Sequence, residues 1–229
     1  LDSVQKAIQA AKKIGYPVLL KARSGGGGRG IRLVENDVDM EQAYATATGE
    51  ATSAFGDGAV YMEKYLSPVK HIEMQLLCDN YGGVVCLGER ECSIQRKNQK
   101  LVEESPAVMV NEIMREGMID ACVKAAKAVD YKGLGTIEFL LTTSGEYYFM
   151  EMNTRIQVEH PVTEMVTGIE LVKWKIRVAA GGELDFSQED VAIRGHAIEC
   201  RNKAENALED FRQREGRINL MHIHGGQRG

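Results

Sequence analysis

The chain has 229 residues, 44% of them hydrophobic and 27% charged, and a formal net charge of -5. That length and balance suit a globular fold with a sizeable core, in one large domain or two smaller ones. The acidic balance argues against a broad nucleic-acid surface, and no apolar run approaches the roughly 20 residues of a membrane span. Cys78, Cys86, Cys92, Cys122 and Cys200 are scattered without C-x-x-C spacing, so buried free thiols in a reducing compartment are expected. No basic-then-apolar leader opens the sequence, and the expected setting is cytoplasmic.

Ser3 is placed to cap a helix carrying Val4, Ala7, Ile8, Ala11 and Ile14 on one face, stopped at Gly15-Tyr-Pro17. Residues 18–22 read as a strand, 25–30 as a glycine loop and 31–34 as a returning strand. A helix over 37–54 and a strand over 60–65 follow. In 71–77, His71, Glu73 and Gln75 fall on one face of a strand and Ile72, Met74 and Leu76 on the other. A turn at 79–83 leads into a strand over 84–91, then a helix over 111–129 and a hairpin of 136–141 with 146–151. A single helix over 162–180, ended by Gly181-Gly182, and a strand over 194–201 complete the pattern. Strands outnumber helices and most join by turns, which predicts an α+β fold with a largely antiparallel sheet.

Gly25-Gly-Gly-Gly-Arg-Gly30 matches G-x-G-x-x-G and follows a strand. A dinucleotide-binding turn must open a helix, whereas Ile31-Arg-Leu-Val34 alternates as a strand. Strand, glycines, strand describes a hairpin whose tip can lie over phosphates with its N–H groups pointing inward. Lys21 ends the incoming strand, where its ammonium can reach a phosphate.

The most informative stretch is Glu151-Met-Asn-Thr-Arg-Ile-Gln-Val-Glu159-His-Pro. It closes an apolar strand with two acids, two amides and a guanidinium, a polar load that points to a bound partner. With Ser144-Gly145 as a two-residue turn, Glu138 falls opposite Glu151, and the two carboxylates repel by about 4 kcal/mol at ~4 Å and an effective dielectric near 20. A divalent cation relieves that repulsion, and Asn153 on the same face adds a third oxygen, a set suited to Mg²⁺ or Mn²⁺ carrying phosphates. Arg155, Gln157 and Glu159 alternate and would point to one side if extended.

Glu138, Glu151-Met-Asn153 and Thr154-Arg-Ile-Gln-Val-Glu-His-Pro-Val-Thr-Glu-Met165 resemble biotin carboxylase, a branch of the ATP-grasp superfamily found in acetyl-CoA, propionyl-CoA and pyruvate carboxylases. The resemblance runs from the first residues to about Arg201. It implies an ATP-grasp fold, with a glycine-rich lid subdomain over 1–65 and a larger main subdomain over 66–229. It also implies ATP, two Mg²⁺ or Mn²⁺ ions, bicarbonate, and biotin presented on a carrier protein or domain. A carboxyltransferase component and a homo-oligomeric parent are further implied, with fatty acid biosynthesis as one setting.

By the same resemblance, Lys21, Gly26, Gly27 and Gly28 bind the nucleotide phosphates. Glu63, Lys64 and Leu66 hold the adenine, and His71, Gln95 and Asn98 make further nucleotide contacts, although some relatives carry histidine where Asn98 stands. Glu138, Glu151 and Asn153 hold the metal, with the two acids, Gln157 and Val158 counted among the cofactor-binding positions. Lys100 and Arg155 lie near bicarbonate, since a guanidinium matches a small planar anion with paired hydrogen bonds. Glu159 takes the bicarbonate proton as general base. Arg201 stabilises the enolate of biotin.

The family pattern weakens after Arg201: Asn202 replaces the usual isoleucine, and 211–216 lacks the expected prolines. The preceding α/β domain and the following sheet of a whole biotin carboxylase are not in the sequence, so a piece that is weakly active or inactive alone is expected. Two other readings are a carboxylate–amine ligase or carbamoyl-phosphate-type synthetase, against which Gln157-Val-Glu-His-Pro-Val-Thr163 argues, and a nucleotide-binding module without turnover.

Overall fold

A computed structural model describes residues 1–24, 31–97, 99–220 and 222. Gly26, Gly27, Gly28 and Asn98 lie outside the described residues. The chain forms two compact units, Leu1–Ser67 and Pro68–Gly229.

The first unit runs α1 (Val4–Ile14), β1 (Val18–Ala22), β2 (Ile31–Val34), α2 (Asp37–Phe55) and β3 (Val60–Lys64). Ser3 Oγ accepts from Lys6 N, and Asn36 Oδ1 accepts from Val38 N and Asp39 N, so both helices start on side-chain caps. The three strands form an antiparallel sheet in the order β2-β1-β3. Val18, Leu20 and Ala22 alternate as the buried residues of β1, and Val18 and Leu20 join a core with Ala7, Ala11, Val34, Met40, Ala47 and Val60. The alternation leaves Lys21 on the other face of β1, where its Nζ lies 2.5 Å from Glu63.

The second unit contains β4 (Val69–Cys78), β5 (Val84–Arg96), β6 (Gln99–Ser105), α3 (Glu112–Ala128), β7 (Gly133–Thr142), β8 (Tyr147–Asn153), α4 (His160–Thr167), α5 (Leu171–Ala179) and β9 (Ala197–Cys200). The two-residue strands β10 (Glu205–Asn206) and β11 (Arg212–Gln213) pair near the end. The six strands β8-β7-β4-β5-β6-β9 form one antiparallel sheet. One face packs Ile72, Met74 and Leu76 against Met118, Cys122 and Ala126 of α3. On the other, Leu77, Leu87 and Leu134 meet Leu171, Trp174 and Val178 of α5, and the polar side chains of β4 and β5 lie beside them.

Several expectations are corrected. The helix over 162–180 is two helices, because Gly168 adopts φ 73 after α4 and Glu164 Oε1 takes the N–H of Leu171 at 2.6 Å. The strand after Arg194 spans only Ala197–Cys200. β5 continues to Arg96 and turns back through Lys97, at φ 50, into β6, a strand that the charged Gln99-Lys-Leu-Val-Glu-Glu-Ser105 had hidden. Cys200 is exposed, while the other four free thiols are buried. Residues 154–159 are irregular, so Arg155 does not share a side with Gln157 and Glu159: it is exposed and they are buried.

The hairpin is also built differently. Thr142 and Glu146 close a three-residue loop, Thr143-Ser-Gly145, with Gly145 at φ 87. From Leu141↔Tyr147 to Phe139↔Phe149 the strands sit one residue away from the expected register; a bulge at Met150 then restores it, so that Glu138 faces Glu151 and Thr136 faces Asn153.

Candidate active site

The polar face of β4 governs the site. Glu73 and Gln75 are buried, and Arg90 of β5 lies between them with no exposed surface. Its guanidinium donates to Glu73 Oε2 (3.1 and 3.2 Å), Gln75 Oε1 (2.7 Å), Thr163 Oγ1 (2.9 Å), Thr136 Oγ1 (3.3 Å) and Gln157 Oε1 (3.2 Å). A buried charge persists only when paired and fully hydrogen-bonded, and this one meets both conditions. The guanidinium thereby fixes strands β4, β5 and β7, α4 and the segment ahead of it in one arrangement.

Above it sits Lys100 of β6. Its ammonium contacts Glu73 Oε1, Glu159 Oε1 (2.8 Å) and Glu138 Oε1 (3.1 Å). Glu138 Oε1 also accepts from Asn153 Nδ2 (2.7 Å) and Gln157 Nε2 (2.9 Å), and its Oε2 lies 2.6 Å from His71 Nε2. Gln95 Nε2 donates to Cys92 O at 2.8 Å and lies 2.8 Å from His71 Nδ1, holding the ring with Nε2 toward Glu138. Burial pushes the Glu138 carboxyl up, but the hydrogen bonds and charges of His71 and Lys100 outweigh it and leave the pKa at about 2.

Glu159 starts α4 without capping it. Its carboxylate instead bridges Lys100 and Arg201, with Oε2 2.9 Å from Arg201 NH2. Burial raises its pKa, yet the hydrogen bond and charge of Lys100 more than compensate and hold it below the ordinary carboxylate range. Arg201 follows β9, held in the ladder by its N–H to Leu101 O, and also donates to Glu103 Oε1. Arg155 stands at the rim, with NH2 3.3 Å from Asn153 Oδ1. Val158 is exposed.

The structure thus brings Lys100, His71, Gln95, Glu138, Glu151, Asn153, Gln157, Glu159 and Arg201 into one connected network. Glu151 enters through Asn153 Nδ2, 3.4 Å from its Oε1. Glu138, Glu151 and the Asn153 amide offer hard oxygens on one face of β7 and β8, and this donor set fits Mg²⁺ or Mn²⁺. A half-turn of the Asn153 amide presents its oxygen to the acids. In the first unit Lys21 pairs with Glu63, Lys64 Nζ is tied to Gly15 O (2.6 Å) and Tyr16 O (3.1 Å), and Leu66 is half-buried after β3.

Sequence reasoning missed Glu73, Arg90 and Glu103. The signal for Glu73 was present: three polar side chains alternating on one face of a strand need a polar interior or solvent, and this strand is central. Arg90 and Glu103 gave no local signal, since charges in short strands usually face water.

Antiparallel sheets in two units, a cluster of two acids and an amide on one sheet face, and a lysine among carboxylates define an ATP-grasp unit. Residues 1–187 match the family described as carbamoyl-phosphate synthase L chain, ATP binding domain, and the chain belongs to that family. It is 55% identical over 218 residues to a biotin carboxylase of a Nostoc species, covering 95% of this chain and 49% of the relative. Biotin carboxylase 1 of Bacillus subtilis is 52% identical, with 99% of this chain and 50% of the relative covered. A solved structure of the Hydrogenobacter thermophilus 2-oxoglutarate carboxylase biotin carboxylase domain dimer, in complex with MgADP, ADP and bicarbonate, matches at TM-score 0.93 and 52% identity, covering 99% of this chain and 50% of that one. The chain therefore spans about half the length of the relatives it matches. No helix among the described residues is long and apolar enough to cross a membrane.

Proposed function

We propose that the chain is the nucleotide- and bicarbonate-handling part of a biotin carboxylase, which uses ATP to carboxylate biotin on a carrier protein or domain. The observation that carries this reading is Glu159: a buried carboxylate kept ionised by Lys100 and adjacent to Arg201. A carboxylate so placed is a general base that takes its proton from a weakly acidic substrate held at the same cations. Bicarbonate is such a substrate.

Lys100 and the Arg155 guanidinium orient the anion, with the Gln157 amide and the Val158 N–H as further donors. Glu159 removes the bicarbonate proton, and the freed oxygen attacks the γ-phosphorus of ATP. The bond to the β–γ bridging oxygen breaks, ADP leaves and carboxyphosphate forms. Carboxyphosphate breaks down to CO₂ and phosphate; phosphate takes the ureido proton of biotin, and Arg201 stabilises the enolate that then captures CO₂. Glu138, Glu151 and Asn153 would hold Mg²⁺ or Mn²⁺, which neutralises phosphate charge when bound.

His71 and Gln95 are assigned to the nucleotide, as are Lys21, Glu63 and Leu66 of the first unit. Lys64 contributes through its backbone, because its ammonium is already engaged by two carbonyls. The glycine loop and Asn98 are assigned by resemblance alone. A carrier, a carboxyltransferase component, a homo-oligomeric parent and a cytoplasmic setting complete the proposal. The test is ATP hydrolysis by the intact protein with bicarbonate and free biotin. Stimulation by both, abolished in Glu159→Gln, supports the reading; ATP turnover driven by an amine and indifferent to biotin would replace it with carbamoyl-phosphate-type chemistry.

A further inference from the structure

The β6–β9 register places Glu103 directly opposite Glu199. Directly opposed residues of an antiparallel pair share a face, with Cβ atoms about 4.5–5.5 Å apart. Glu103 is fully buried, and Arg201 Nε and NH2 approach only its Oε1, at 2.7 and 2.6 Å. Among the described residues, the buried side-chain oxygens without a hydrogen-bond partner are Glu103 Oε2 and Glu199 Oε2. Two facing acids therefore each leave one oxygen unsatisfied.

We propose that Glu103 and Glu199 share a single proton and, as a unit, position Arg201. A proton on either acid turns one acceptor into a donor and satisfies both buried oxygens with one hydrogen bond. It also removes one of two like charges that could not both ionise at close range. The remaining negative charge is delivered to Arg201 through Glu103 Oε1, while Glu159 holds the guanidinium from the other side. Arg201 is thus fixed between two carboxylates without the excess charge of three.

The groups facing the pair agree with this count. Glu103 faces Glu199 of β9 and Arg201 just beyond it, Glu159 at the start of α4, Lys100 from its own strand and Cys92 from β5. Glu199 faces Glu103, Arg201, Glu159, His160 and the buried Arg90. Lys100 is already engaged by Glu73, Glu138 and Glu159, and Arg90 by Glu73, so Arg201 is the cation in direct contact with the pair. Burial raises both carboxyls, and the charge of Glu103 raises Glu199 further.

The catalytic meaning of a fixed Arg201 rests on the function proposed above, but proton sharing does not, and the test reads it without turnover. On the intact protein at neutral pH, infrared spectra of ¹³C-glutamate-labelled material should contain a protonated-carboxyl C=O band that disappears in Glu199→Gln. The Nε–H resonance of Arg201 should keep its wild-type position in Glu199→Gln, where an amide supplies the missing donor, and move in Glu199→Ala. Absence of a protonated-carboxyl band from the folded wild type, or its survival in both variants, overturns the shared proton. Equal displacement of the Arg201 resonance in the two variants overturns the positioning role. An enzyme that failed to carboxylate biotin would sink the functional reading and leave both spectroscopic results to stand or fall separately.

Discussion

Glu138 and Glu151 stand opposite each other across β7 and β8 even though the strands on the turn side of them run one residue away from that register. The three-residue loop displaces the pairing and the bulge at Met150 returns it. The two carboxylates, and Asn153 beyond them, therefore share a face.

Neutralising one acid of that pair should separate metal affinity from stability. Glu151→Gln removes like-charge repulsion at an exposed position, so stability should change by no more than about +1 kcal/mol. Mn²⁺ or Mg²⁺–nucleotide affinity should fall by the order of 10–100-fold. Calorimetric titration with MgADP and thermal unfolding of the metal-free protein measure the two effects.

Arg90 is the residue whose loss should damage the second unit most. Arg90→Met leaves Glu73 charged, buried and short of a partner, which costs about 3–5 kcal/mol. Arg90→Lys should not restore the loss, since one ammonium cannot reach five acceptors arranged around a planar fork. Urea unfolding followed by the fluorescence of Trp174, in the same unit, reports the change.

Lys100 sets the acid limit. Glu159 is held below its ordinary range chiefly against burial, by the bond and charge of Lys100. Its ionised form therefore contributes stability above the unfolded carboxylate value, and that contribution is lost as pH falls through the lower folded value. In Lys100→Met the folded value rises, so the acid loss of stability should begin at higher pH. Denaturation midpoints collected from neutral to acidic pH would show the displacement, and an unmoved acid limb would contradict the assignment.

Gly168 should behave as a purely conformational residue. It holds φ 73 between α4 and α5, and a Cβ there would meet nothing within 4 Å. Gly168→Ala should cost about 1 kcal/mol from backbone strain alone, without weakening nucleotide binding. A loss several times larger would mean that the break between the helices does more than redirect the chain.

Much of this was readable from residue order because local chemistry and tertiary structure agreed. Ser3 caps its helix as its side chain predicts, and β4 turns His71, Glu73 and Gln75 one way and Ile72, Met74 and Leu76 the other. Glu138 and Glu151 face each other as expected, although two departures, a longer loop and a bulge, cancel to give that result. What stayed hidden depends on long-range contact. β6 was not foreseen as a strand, and the acids around its Lys100, like the pairing of Arg96 at the end of β5 with Glu205 and of Lys97 with Asp210, come from partners distant in sequence. Gly168 read as a residue inside one helix because only the αL geometry and the Glu164 bond to Leu171 reveal the break.

Lys100 carries three protons, and Glu73, Glu138 and Glu159 each hold one of them. An incoming anion consequently finds every donor of this ammonium in use and has to evict a resident carboxylate to gain a place. Affinity there is a contest among oxygens. Removing the charge of Glu73, the resident most deeply enclosed, should make the site greedier for small anions while weakening the frame that Arg90 maintains.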